Sequence, residues 1–577
     1  MPRINFLKKV VIAALGLIVV RLFFIQIIEH GDWVKRAAEQ QTLLETIVAD
    51  RGDIYMLDDN NEPVKVVMNQ SVYSIIIDPQ VTDKDGLKEV LEKYAKEYTT
   101  ANVDEIFNIE GLRYYVIARN VPRETASTIS KEGVSGVWFQ ENNHRVYPEG
   151  EMAAQLLGFV NTDGEGQYGI EGALNDRLAG KNGLLKTISD VNNIALSIGD
   201  DNVEIPAVDG DDVVLTINRG LQKRTEEILA DAVANSVATN AAAIIMDPNT
   251  GEVLTMASVP TYDPSRYDQV ADWTSYVNYT TDIPYEPASV CKTFVFTAAI
   301  NEGAMTPDST YFNNGYVMID DARINNATLG SHVYGTVSMR TALSYSLNTG
   351  SIQALKWLGG DPDNINEAGR QKLYEYYNRF GLGKETGIEV SEATGIVHEP
   401  NEGYAPDLTY AEMTFGQGTS LTMIQVATAF SEVINGGYDL TPTLIRGYMK
   451  DGNLEIVPYT GKGEQVISSD TSSTMRVMLH DNRGIFYRKD TPGYYLGGKT
   501  GTGQVYLEET GAYSEPTGET IGTYIGFGGT DGELPNYVIM VKIWGEGQHL
   551  DGSTDAKDLF DNISDEAVEY LKIKPKE

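Results

Sequence analysis

Tyr285-Glu286-Pro287-Ala288-Ser289-Val290-Cys291-Lys292 is the stretch from which the fold of this chain is best read. A proline just ahead of an apolar run marks a helix entry, and Thr293 to Ile300 is apolar and helix-compatible. Ser289 is therefore expected in the first turn of a buried helix, with Lys292 one turn on. Side chains at i and i+3 share a helix face, so this spacing sets an amine beside a hydroxyl. A serine hydroxyl becomes a good nucleophile once a base takes its proton. A lysine can be that base if burial lowers its pKa. The helix N-terminus also offers backbone N–H groups to an oxyanion. Alone, Ser-x-x-Lys equally describes a surface serine and lysine on one helix, and the decision between the two readings lies downstream.

Downstream, Ser346-Leu347-Asn348 falls in a polar break within a helical stretch, and Lys499-Thr500-Gly501-Thr502 follows Tyr494 to Gly498. After a loop at 504–520, Thr523 to Phe527 and Tyr537 to Trp544 read as strands. Upstream, Val213 to Ile217 reads as a strand and a helix begins near Leu221. Ala241 to Met246 and Glu252 to Ser258 read as a hairpin about the turn Asp247-Pro248-Asn249-Thr250-Gly251. Helix, hairpin and a helical region entered at Ser289 predict an α+β domain.

The amino-terminal end predicts a membrane anchor. Arg3, Lys8 and Lys9 precede an apolar run from Val10 to Ile28, broken only by Arg21 and Gln26. At ~1.5 Å per residue the run nearly spans a ~30 Å hydrocarbon layer. Basic residues on its amino-terminal side place that side in the cytoplasm. Glu29-His30-Gly31-Asp32-Trp33 carries no small-x-small cleavage site, which favours an uncleaved anchor over a signal peptide. Arg21 inside the span either faces a partner helix or snorkels to the interface. Residues 30–50 read as a polar, helix-capable segment. Val72 to Ile77 is expected to be a strand, and 83–131 two helical patterns around a strand near Tyr114 to Ala118. Asn161 to Gly166 opens like a calcium loop, but Glu165 and Gly172 stand at its fifth and twelfth positions, so it is read as a turn.

Composition narrows the function classes. The 577 residues exceed one ordinary domain. Lys+Arg number 45 against 82 Asp+Glu, a net charge of −37, which argues against nucleic acid and broad anionic surfaces. The one cysteine, Cys291, excludes an intramolecular disulfide and a cysteine zinc cluster. It is read as a small buried hydrophobe rather than a second nucleophile. No metal site is expected.

Ser-x-x-Lys, Ser-x-Asn and Lys-Thr-Gly, in that order, form the trio shared by serine β-lactamases and penicillin-binding proteins. The chain resembles the class B penicillin-binding proteins, membrane-anchored D,D-transpeptidases of bacterial peptidoglycan, over nearly its whole length. Arg51-Gly52-Asp53-Ile54, Arg145-Val146-Tyr147-Pro148-Glu149-Gly150 and Gly169-Ile170-Glu171 match that family's amino-terminal pedestal. Asp247-Pro248 with Gly251, Phe415-Gly416-Gln417-Gly418 and the trio match its transpeptidase domain. The wording of Glu149-Gly150, Gly158-Phe159-Val160 and Gly164-Glu165-Gly166 is more similar to the septal branch than to the elongation branch. Ala288-Ser289-Val290-Cys291-Lys292 departs from the commoner Gly-Ser-Thr-Phe-Lys, and Leu347 stands where a small residue is frequent.

The resemblance implies a cytoplasmic tail (1–9), an anchor (10–28), a mixed pedestal domain (29–205) and a transpeptidase domain (206–577). The last is implied to be an antiparallel sheet flanked by helices, with a helical subdomain. It implies Ser289 as nucleophile, Lys292 as base, Ser346 as proton relay and Lys499 as support for the positive field. Asn348 would bind the substrate's amide, and Thr500 and Thr502, with Gly501 between them, its carboxylate. Backbone N–H groups of Ser289 and Thr502 would form the oxyanion hole. The implied partners are donor and acceptor stem peptides, β-lactams, a membrane glycan polymerase and division proteins, with no cofactor. A β-lactamase reading asks for Glu-x-x-x-Asn, and Glu375-Tyr376-Tyr377-Asn378 is one residue short. A silent scaffold would tolerate loss of Ser289, Lys292 or Lys499, and all are present.

Overall fold

A computed structural model of the protein describes residues 2–33, 42–189, 195–196, 203–327, 332–485, 490–507, 512–514 and 518–576. The chain divides into two compact units, Met1–Gly52 with Ala179–Gly210, and Asp53–Leu178 with Asp211–Glu577.

In the first unit an α-helix runs Pro2–Phe23 and ends in a π turn, Phe24–Ile28. Arg3–Ile28, 26 residues, is the one helix among the described residues long and apolar enough to cross a membrane. At ~1.5 Å per residue it exceeds a ~30 Å hydrocarbon layer. The helix-capable reading of 30–50 is corrected at Thr42–Ile47, which is a strand; part of the rest lies outside the described residues. The strand pairs antiparallel with Gly183–Ser189, which also pairs Val203–Ile205. Long-range pairing overrides local propensity here.

In the second unit, one sheet runs Asn453–Ile456, Ile445–Lys450, Asp212–Asn218, Ile54–Leu57, Pro63–Ile77, Tyr115–Pro122, with Val137–Val146 also pairing Pro63–Ile77. The strand expected at Val72 to Ile77 therefore starts earlier, at Pro63. Three helices, not two, occupy 83–132: Lys84–Val90, Val103–Phe107 and Arg123–Glu132. At 161–166 there is a turn, with Asn161 Oδ1 accepting from the N–H groups of Asp163 and Glu165 at 2.9 and 3.0 Å.

The second sheet carries the site. Its five strands run in the order Val253–Val259, Asn240–Met246, Tyr537–Trp544, Thr520–Gly528, Gly497–Gln504, all antiparallel. Both faces are buried, so alternate residues enter different cores. Ala241, Ala243, Ile245, Ile539 and Val541 pack with Leu229 and Phe560, from the helices Arg219–Asn235 and Asp555–Tyr570. Ala242, Ile244, Met540 and Ile525 face the helical side, with Phe294, Leu355 and Phe430 from Lys292–Asn301, Asn348–Leu358 and Met423–Ile434. Two of the sheet's lysines, Lys499 and Lys542, belong to that helical face by register: Lys499 pairs Ile525 and Lys542 pairs Ala242. Gly497–Gln504 is an edge strand, so its outer side is available to the turn at Pro287–Lys292.

Candidate active site

Proline and a left-handed residue aim the nucleophile turn. Ser289 stands on a short 3-10 turn, Ala288–Cys291, and the α-helix begins only at Lys292. The expected first helical turn is thus tighter than an α turn. Ala288 has φ 51, a left-handed conformation that disfavours residues with a Cβ. The turn abuts the edge strand so closely that a Cβ on Gly501 would come within 2.5 Å of the Pro287 carbonyl. Gly501 therefore lets the Lys-Thr-Gly strand meet the Ser-x-x-Lys turn, a requirement for small size rather than for unusual φ.

The second motif arrives by a helix break. Met339–Ser344 ends, Ser346 takes φ 54, and a new helix starts at Asn348. Leu347 turns inward and is fully buried, while Ser346 and Asn348 turn toward Lys292.

These motifs converge on two buried amines. Lys292 Nζ lies 2.9 Å from Ser289 Oγ, 2.6 Å from the Ser346 carbonyl, 3.1 Å from Ser346 Oγ and 2.7 Å from Asn348 Oδ1. Lys499 Nζ donates to Ser346 Oγ at 2.9 Å and to the Thr500 carbonyl at 2.9 Å. Ser346 Oγ thus bridges the two lysines. No carboxylate contacts either amine in any described hydrogen bond or ion pair. Burial, and then the like charge of Lys499, push Lys292 well below the usual lysine value; burial brings Lys499 down to about 7. The partners of Lys292 also orient it. The Ser346 carbonyl and Asn348 Oδ1 can only accept, so they take two N–H groups. The remaining position is shared by Ser289 Oγ and Ser346 Oγ, as an N–H in the ammonium and as a lone pair in the neutral amine.

All eight residues expected at the site lie on these three elements. Thr500 is buried beside Lys499, its Oγ1 at 3.4 Å from Nζ. Thr502 is exposed, and its Oγ1 accepts from the Gly552 N–H at 3.0 Å, leaving its own O–H free to donate. Cys291 is fully buried with its thiol pKa raised by burial, as expected of a small hydrophobe. Glu375 is exposed and accepts from Gln371 on its own helix, not from anything at the site.

Sequence reasoning missed two supports. Lys542 is buried with its amine 4.1 Å from the Tyr285 ring and 4.2 Å from the Trp544 ring, and Tyr285 OH meets Thr523 Oγ1 at 3.2 Å. A lone lysine within the apolar run Tyr537 to Trp544 was the available signal. Glu286 Oε1 accepts from the Gly418 N–H at 2.8 Å and Tyr513 OH at 2.7 Å, tying the nucleophile turn to the Phe415–Gly418 segment. Nothing local in the sequence announces that contact.

The comparisons give the family. Residues 241–565 match the penicillin binding protein transpeptidase domain, and 46–215 the penicillin-binding protein dimerisation domain. The chain is 30% identical over 546 residues to stage V sporulation protein D of Bacillus subtilis, covering 91% of this chain and 79% of that protein. It is 27% identical to penicillin-binding protein PbpB of Mycobacterium tuberculosis, covering 94% and 81%. Its fold is similar to that of penicillin binding protein 2X from Streptococcus thermophilus, with a TM-score of 0.71 at 24% identity over 92% of this chain and 81% of that one. With the transpeptidase match over more than half its length, a dimerisation domain ahead of it and the three motifs gathered about one serine, the chain belongs to the class B penicillin-binding protein transpeptidases.

Proposed function

We propose that Ser289 is the nucleophile of a D,D-transpeptidase that cross-links peptidoglycan stem peptides. The observation that carries the reading is the Lys292 amine 2.9 Å from Ser289 Oγ, buried and, among the described residues, without a carboxylate partner. In the neutral form Lys292 takes the Ser289 proton as Oγ bonds to the carbonyl carbon between the two terminal D-alanines. N–H groups of Ser289 and Thr502 hold the oxyanion. The C–N bond then breaks, and the departing D-alanine takes its proton through Ser346, which touches both lysines. An amine of a second stem peptide attacks the ester and restores Ser289 Oγ–H. Asn348 binds the donor's amide, Thr500 and Thr502 its carboxylate, and Lys499 supplies positive potential. β-Lactams acylate the same serine.

The cellular reading follows the sequence. Residues 1–9 form a cytoplasmic tail, 10–28 the anchor, 29–205 the pedestal and 206–577 the catalytic domain outside a bacterial cell membrane. The septal wording of the pedestal motifs favours a role in division, beside a membrane glycan polymerase and division proteins. Labelling the full chain with a fluorescent penicillin tests the chemistry. Wild type gives a stable adduct on the Ser289 peptide and Ser289→Ala gives none; persistent labelling of the variant would place the nucleophile elsewhere.

A further inference from the structure

The helix that begins at Asn348 lacks a cap of its own. Its N-cap residue is Leu347, which has no side-chain hydrogen bond to offer, so the first N–H groups need acceptors from elsewhere. One arrives from a distant hairpin, Tyr316–Ile319 and Ala322–Asn325, in which Tyr316 pairs Asn325. Just beyond it, Asn326 Oδ1 accepts from the Thr349 N–H at 3.0 Å and lies 3.1 Å from Thr349 Oγ1. Asn326 is held in turn: its N–H donates to the Gly315 carbonyl at 3.0 Å, and its Nδ2 to Asn313 Oδ1 at 3.1 Å. Asn313 is 1% exposed and also receives the Gly315 N–H at 2.9 Å.

The same hairpin reaches Asn348 directly. Asn348 Nδ2 donates to the Asn325 carbonyl at 2.9 Å while its Oδ1 receives Lys292 Nζ at 2.7 Å. The Asn325 carbonyl only accepts, so it fixes which end of the amide is which. An –NH2 group has two hydrogens. One is held by Asn325, and the other is left for a ligand.

We propose that Asn326 is a positioning residue for substrate amide recognition, serving as the N-cap that Leu347 cannot be and holding Asn325 where its carbonyl aims the second Asn348 N–H. This rests on the assignment of Asn348 to the donor's amide. The consequence is selective. A ligand with an amide carbonyl beside its reactive carbonyl loses a hydrogen bond when the brace is cut; a ligand without one loses nothing there.

The test compares acylation of the full chain by benzylpenicillin, which carries a side-chain amide, and by 6-aminopenicillanic acid, which does not. Asn326→Ala should lower the second-order rate constant for benzylpenicillin about fivefold, the scale of one lost hydrogen bond, and leave that for 6-aminopenicillanic acid within about twofold. Asn348→Ala also removes an acceptor from Lys292, so it should lower both rate constants, and that for benzylpenicillin about fivefold further. The double variant should show no loss beyond that of Asn348→Ala, because both changes remove one interaction. Equal loss on both compounds, or no loss on either, in Asn326→Ala beside a selective Asn348→Ala overturns the inference alone. A non-selective Asn348→Ala overturns the assignment of Asn348 and the inference with it. If the alanine variant does not fold, Asn326→Asp keeps the acceptor for Thr349 but loses the donor to Asn313. It should show a smaller loss confined to benzylpenicillin, and a loss shared by both compounds overturns the proposal.

Discussion

Arg145 and Lys292 are both buried basic side chains in the same compact unit, yet their burial is met in opposite ways. Arg145, from the Arg145–Gly150 motif, donates through Nε to Glu171 at 2.7 Å and through Nη1 to Asn69 at 3.0 Å, with Asp53 4.0 Å away. Glu171, from Gly169-Ile170-Glu171, is fully buried. Two motifs whose charged residues are 26 positions apart thus close on each other as an ion pair. Lys292 has hydroxyl, carbonyl and amide oxygens for partners and a second lysine, Lys499, on the far side of Ser346. A guanidinium keeps its charge and is matched by carboxylates. An amine that lacks a carboxylate sheds its proton instead. The first arrangement ties a strand to a short helix; the second leaves an amine able to act as a base.

Cutting the ion pair should have the largest effect on stability. Glu171→Ala leaves Arg145 without its closest anion and should cost about 3–5 kcal/mol, the range for a broken buried pair. Chemical denaturation would read this, and penicillin acylation by the remaining folded protein should stay close to wild type. Lys292→Arg tests the other side. It keeps a cation but loses the base, so acylation should fall at least ~10²-fold. Near-normal acylation would mean that another group takes the proton.

Lys542 sharpens the comparison because it is a buried amine remote from Ser289 in the chain. Burial lowers it from 10.5 to about 7. Between those values the unfolded chain binds a proton that the folded chain has released, so stability rises with pH across the window. Below about 7 the folded state bears the full cost of the buried charge. Lys542→Met should therefore raise the thermal midpoint most below neutrality, and should converge on wild type as the pH nears 10.5. A constant offset at every pH would show that Lys542 contributes packing alone. The smallest effect is expected at Ala288, whose φ of 51 is unfavourable for a residue with a Cβ. Ala288→Gly should stabilise by about 1 kcal/mol, measured by denaturation.

The sheet and the trio were legible because their signals are local. Apolar runs such as Ala241 to Met246 gave strands within a residue, and the resemblance carried by the trio named the eight residues proposed for the site. What escaped depends on distant contacts. Thr42–Ile47 is a strand only through its pairing with Gly183–Ser189. The cap on the helix at Asn348 comes from Asn326, and no helix-start rule looks that far away. The departure at Leu347 was visible as an unusual residue, but its consequence, a helix start capped from another hairpin, required the fold.

The pH dependence of penicillin acylation by the full chain tests the central claim, that Lys292 is a base because its burial has no carboxylate to offset it. The rate should rise with a midpoint well below the ordinary lysine value of 10.5, and this limb should vanish in Lys292→Arg. A wild-type rate that climbs only through about pH 10, where an unperturbed lysine titrates, or a limb that survives in Lys292→Arg, would contradict it.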